Sequence, residues 1–227
     1  MEILQSFCAV RRKAIAIPKS VVVAAILFLF LSPLKVNAQN LMMSDVFSSM
    51  PDSIFPYLST NNRLDMIDFS VMNMKSEVVN MFDEKSEMKI LGNDYLQLSL
   101  NEATLVEMKL KKADKLLADS SEYIVYVVKT FGVEPKHSIV KTYTSKWTPL
   151  GEIALGQYLK FLVSWKDDVS DESLDFKGFL NNNVSIVASL CSDDNSMLLT
   201  PFLYSLTNDE KTKIEEKFTL KTFKIKL

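Results

Sequence analysis

The chain has 227 residues, with 26 Lys and Arg against 28 Asp and Glu, and only five Gly, two Cys and one His. One domain is the default at this length, and 24% charged with 48% apolar residues is a globular composition, which excludes disordered, collagen-like and disulfide-framework classes. The scarcity of Gly, Cys and His also removes most nucleotide, thiol and imidazole chemistry before any motif is sought.

In chain order, Arg11, Arg12, Lys13 and Lys19 precede an uninterrupted apolar run from Val21 to Leu31, and a small-residue stretch ending Val36-Asn37-Ala38 follows it. That succession predicts a secretory signal peptide over residues 1–38, cleaved after Ala38. The apolar run is shorter than the about 20 residues a helix needs to span a bilayer, so no stable transmembrane anchor is expected. Cleavage leaves 189 residues, 21 basic and 27 acidic, a net charge of −6. Nucleic acid is then a poor partner, because it requires clustered cations to displace counterions, and residues 39–227 contain scattered Lys and the single arginine Arg63. Cys191 is left as the sole cysteine, without an internal disulfide, in an apolar stretch that predicts a buried, inert thiol.

The remainder, residues 39–227, is expected to form a single α+β domain with N-terminal helices packed on an antiparallel β-meander sheet. Ser44 and Asp45 begin a short helical turn through Met50, and Asp52 to Leu58 forms a second, interrupted by Pro56. Ser59 or Thr60 caps a helix over residues 61–73, whose Leu64, Ile67, Val71 and Met74 recur at helical spacing and should cover the sheet. The period then falls to two. A first strand is expected over Glu77 to Met81, followed by strands carrying Met88 and Ile90, then Leu96, Leu98 and Leu100, then Val106, Met108 and Leu110, with turns at residues 92–94 and 101–103. One face of this meander should be buried and the other wet. Glu122 to Phe131 is apolar on both faces and is the expected central strand, and Ser138 to Trp147 returns with Ile139, Tyr143 and Trp147 on one side. Tyr158 to Trp165 fits a helix or a strand, and the acidic stretch from Asp167 to Asp175 a surface loop. Val184 to Leu190 is a buried strand, Met197 to Leu206 a strand or mixed segment, Thr207 or Asn208 the cap of a helix through Phe218, and Phe223 to Leu227 a closing strand.

Candidate chemistry is sparse. His137 lies in the loop expected over residues 132–137, where an ordinary surface role fits better than catalysis. Asp65 and Asp68 lie three apart on the predicted helix, where they can brace Arg63 or face a substrate or cation. The run at Asp167 to Asp175 lacks the glycine and alternation of a calcium loop. Met42, Met43, Met66, Met72 and Met74 are expected to pack as core rather than bind copper. No catalytic residue, metal site or cofactor is assigned.

The segments Met50-Pro51-Asp52-Ser53, Pro56-Tyr57-Leu58 and Asn62-Arg63-Leu64-Asp65-Met66-Ile67-Asp68-Phe69 together resemble a family of uncharacterised exported proteins from Bacteroidales gut and oral bacteria, a domain of unknown function. Tyr95 to Leu98, Glu107 to Leu110 and Tyr143 to Trp147 fit it too. The resemblance implies a Gram-negative envelope address, the periplasm first, with the cell surface or secretion as alternatives, and supplies no catalytic residue. Because the one arginine of residues 39–227 falls in the most recognisable motif, Arg63 is expected to be a structural hub ion-paired to Asp65, Asp68 or a strand carboxylate. The function expected is a non-enzymatic binding or structural module for a protein, peptide or lipid of the cell envelope. A lipid or lipoprotein carrier of half-barrel type and a carboxylate-dependent hydrolase are the alternatives.

Overall fold

The alternation in residues 95–112 dictates the middle of the protein. Leu96, Leu98, Leu100, Val106, Met108 and Leu110 are all buried, and period-two geometry places them on one face of two paired strands. Removing each from water contributes roughly 2 kcal/mol. In a computed structural model that describes residues 40–133, 136–166, 183–204 and 206–227, this pair is the centre of a seven-stranded antiparallel sheet. Residues Leu41–Leu227 form one compact unit.

Among the described residues, two short helices come first, α1 (Met43–Ser48) and α2 (Thr60–Val71). The sheet follows as β1 (Ser76–Val79), β2 (Lys85–Leu91), β3 (Tyr95–Asn101), β4 (Thr104–Lys112), β5 (Tyr123–Phe131), β6 (His137–Thr144) and β7 (Pro149–Ile153), each strand paired with its neighbour in sequence. A 3-10 turn (Leu155–Tyr158) leads into α3 (Leu159–Leu162) and β8 (Val163–Trp165). Then come β9 (Val184–Leu190), β10 (Ser196–Leu203), α4 (Asn208–Lys217), β11 (Phe218–Leu220) and β12 (Phe223–Lys226). Strands β12, β10 and β9 make a three-stranded sheet, and β11 pairs with β8. The body is therefore mostly β, with few and short helices. None of the described helices is long and apolar enough to cross a membrane.

Two cores result. The first joins Met43, Val46, Phe47, Met50, Phe55, Leu58 and Met66 of the N-terminal segment to the leucines and valines of β3, β4 and β5. The second joins Tyr95, Val128 and Val140 on the opposite face to Ile186, Ala188, Leu190, Met197 and Leu199. The expectation of one wet face is thus corrected over the middle of the meander, where β9 covers it. Glu107 and Lys109, whose alternation pointed to solvent, are buried there. Burial is tolerated because their charged ends have partners. Glu107 accepts from the Tyr95 hydroxyl at 2.7 Å, the Ser189 hydroxyl at 3.1 Å and the Leu190 N–H at 3.4 Å. Lys109 donates to the Ser192 carbonyl at 2.8 Å and pairs with Asp94 at 2.9 Å.

Four local expectations are also revised. Helix α2 is capped by Ser59, which exchanges hydrogen bonds with Asn62 as a capping box, but the face it buries is Arg63 and Met66. Leu64 and Val71 of the predicted stripe, with Met72 and Met74 beyond the helix, are exposed, and Ile67 is half-buried. Residues 52–58, expected as one short helical turn, form two separate turns closed by the Ile54 N–H on the Pro51 carbonyl and the Leu58 N–H on the Phe55 carbonyl, with Phe55 and Leu58 inserted into the core. A bulge between Met88 and Ile90 reverses the alternation and exposes Ile90. Trp147 lies in the turn after β6, at φ 66°, and not on the strand. The ambiguous Tyr158 to Trp165 divides into α3 and β8, and the acidic run lies outside the described residues.

Candidate functional site

Strands β5 and β6 place Val125, Val127, Lys129 and Phe131 on the face of the first core, opposite Tyr143, Lys141, Ile139 and His137 respectively. The N-terminal segment packs on this face across β3, β4 and β5, and Tyr143 of β6 and Trp147 join the same core. Beyond it, the side chains of β5, β6 and the start of β7 are left beneath an open groove of about 430 Å³. Pro51, Ser53 and Ile54 form one wall, Trp147 and Pro149 close an end, and Phe131, Ile139 and Tyr143 make an apolar floor.

Lys129 and Lys141 are the charged residues of the lining. The Lys129 ammonium donates to the Ile54 carbonyl at 3.0 Å and sits 3.9 Å from the centre of the Phe55 ring. Burial lowers its pKa to about 8, helped by the nearby charge of Lys141. Burial raises the Tyr143 phenol, which keeps that hydroxyl a neutral donor. The Tyr143 and Trp147 rings lie 5.5 Å apart, tilted, so the end wall and the floor support each other. The arrangement joins an apolar bed to two cations.

The residues singled out from sequence lie elsewhere. Arg63 is 1% exposed and donates to Asp52 at 2.8 Å, the Leu58 carbonyl at 2.7 Å, the Met50 carbonyl at 2.5 Å and the Thr60 hydroxyl at 3.1 Å. Its carboxylate partner is Asp52, not Asp65 or Asp68. Those two stand roughly 200° and 140° around the helix from Arg63, and both are exposed and absent from the groove lining. His137 is the exposed first residue of β6, with its ring stacked on Phe131 at 5.4 Å. Cys191, just past β9, is a free thiol but half-buried, because the alternation puts Leu190 in the core and ends there. Of the methionines, Met43 and Met66 are core, whereas Met42, Met72 and Met74 are exposed. Among the described residues no group of three or more His, Cys, Asp or Glu could hold a metal ion.

Lys129 and Lys141 do not stand out in the sequence as site residues. The available signal was Lys129 within Tyr-Ile-Val-Tyr-Val-Val-Lys-Thr-Phe: a strand apolar on both faces leaves its lysine over a core.

The model of a family described as "Protein of unknown function (DUF3256)" matches residues 34–225. Among solved structures, a domain of an uncharacterized protein from Porphyromonas gingivalis W83 is similar, with a TM-score of 0.61 and 14% identity over 81% of this chain and 92% of that one. At that identity the likeness is one of fold. No curated protein matches the sequence.

Proposed function

The chain belongs to the DUF3256 family of proteins of unknown function, and we propose from its own geometry that it is an exported, non-enzymatic binding module of the cell envelope. In this reading it is an α+β domain over residues 39–227, released by cleavage after Ala38, that holds its ligand in the groove above β5 and β6. The observation that carries the proposal is that groove, an apolar floor left open where the N-terminal cover ends and flanked by two lysines. Its volume falls in the range of small-molecule sites. Export rests on the order of basic residues, apolar run and small-residue cleavage site in residues 11–38.

The alternatives have less support. A half-barrel carrier needs α2 as an apolar plug, yet α2 turns Leu64 and Val71 to solvent. A hydrolase needs converging carboxylates, and Asp65 and Asp68 lie outside the groove.

The binding reading is tested with the neutral fluorophore N-phenylnaphthylamine, whose emission rises in apolar sites. Saturable binding to the protein, abolished by Ser53→Trp at the groove wall, is expected. Binding that Ser53→Trp leaves intact refutes the location, and no saturable binding refutes the groove as a ligand site. For export, the N-terminus of the protein from a fractionated cell should begin at Gln39 in the periplasmic or surface fraction; an uncleaved cytoplasmic protein overturns that part.

A further inference from the structure

We propose that the groove selects a small amphiphilic anion, whose single acidic head is held by Lys129 and Lys141 and whose apolar body lies on Phe131, Ile139 and Tyr143. The proposal rests on reading the groove as the binding site and adds the chemical class of its ligand.

Charge is the first argument. The lining contains two ammonium groups and no carboxylate, in a chain whose residues 39–227 carry net −6. Glu152 lies opposite Lys141 in register on β7, but it is exposed and outside the lining. The lysine pair thus lacks an acid of its own within the groove.

Lys129 supplies the second argument. An ammonium has three donors, and the Ile54 carbonyl is its one hydrogen-bond acceptor among the described residues. Partly removed from water and beside a second cation, it is the group that gains most when an anion arrives. The fall of its pKa toward 8, caused by burial and by Lys141, expresses the same imbalance.

Size and floor make the third. About 430 Å³ accommodates a small molecule. Phe131, Ile139 and Tyr143 are all half-buried, leaving apolar surface for a ligand body to cover. A purely ionic ligand leaves that surface unused.

Two fluorophores with one skeleton separate head from body: N-phenylnaphthylamine, which is neutral, and anilinonaphthalene sulfonate, the same molecule with an acidic group added. The sulfonate is expected to bind about tenfold more tightly, the worth of one charge-assisted hydrogen bond. Lys129→Met and Lys141→Met should each remove most of that preference and leave the neutral dye unaffected. Lys141 is exposed, so its variant folds even if the change at Lys129 perturbs the core, and circular dichroism checks both. Dodecanoate or dodecyl phosphate should displace the sulfonate dye, the more effective one identifying the head group. Equal binding of the two dyes, or a preference that survives both substitutions, overturns the anion while leaving the groove in place. Displacement by inorganic phosphate alone overturns the need for an apolar body. If acidic peptides or anionic vesicles bind and neither dye does, the small-ligand class is wrong, and loss of both dyes counts against the groove itself.

Discussion

The indole N–H of Trp147 donates to the backbone carbonyl of Val46 at 3.0 Å, joining two residues 101 positions apart in the chain. That bond fastens α1 to the turn between β6 and β7 and sets the end wall of the groove. It also helps hold a bulky residue at a positive φ that such side chains rarely adopt. Replacing Trp147 by Phe keeps an aromatic ring but removes the donor and some volume, with an expected loss of about 1–2 kcal/mol in urea unfolding. An unchanged midpoint would show that the bond contributes nothing.

Arg63 ties residues 50, 52, 58 and 60 to one guanidinium. Arg63→Met leaves the Met50 and Leu58 carbonyls without that donor, and a destabilisation of about 3 kcal/mol is expected. Asp65→Asn and Asp68→Asn alter exposed positions and should change stability by less than about 0.5 kcal/mol. Comparable losses at all three positions would mean that the aspartates support the arginine after all.

Glu107 anchors the second sheet to the first, because donors from both converge on it. Glu107→Ala leaves the buried Tyr95 hydroxyl and Leu190 N–H without that acceptor and should cost about 3 kcal/mol, while Glu107→Gln, which retains one acceptor oxygen, should cost about 1 kcal/mol. Native-state hydrogen exchange should show the loss at the Leu190 amide and along β9. Unchanged protection there would assign the attachment of the sheets to apolar contacts alone.

Lys129 makes stability depend on pH in a defined direction. Its folded-state pKa of about 8 lies below the ordinary 10.5, so between these values the unfolded chain binds more protons. Stability due to this residue therefore rises as pH increases through that window, and the penalty is fully present below about 8. Lys141 and Tyr143, which face the same groove, are common to the wild type and Lys129→Met, so the difference between the two isolates Lys129. Relative to that variant, the wild type should gain stability between about pH 8 and 10. A difference independent of pH would contradict the burial of the ammonium.

Much of the strand order was legible because it is local. Alternation at residues 96–110, the turn at residues 92–94 and the Ser59 cap each involve neighbours in sequence, and each is present. Strand β7 was not legible, since Pro149, Leu150 and Gly151 carry neither alternation nor strand propensity and the segment pairs only because β6 offers an edge. Helix α2 misled for a different reason. Its stripe of Leu64 and Val71 had the right period for a core, but the helix is rotated so that Arg63 reaches three carbonyl or carboxylate oxygens.

The groove shows the same division. Sequence placed Ile139, Tyr143 and Trp147 near one another, yet Trp147 belongs to a turn, and the lysines looked like ordinary solvent-facing residues. Alone, the sequence determined composition, scarcity of reactive side chains and the local run of strands, because these depend on residue identity and on spacing along the chain. Which side of each strand is covered was decided only by tertiary structure. Burial depends on what arrives from distant segments: β9 closes over Glu107 and Lys109, and the N-terminal segment leaves Lys129 beside an open apolar floor.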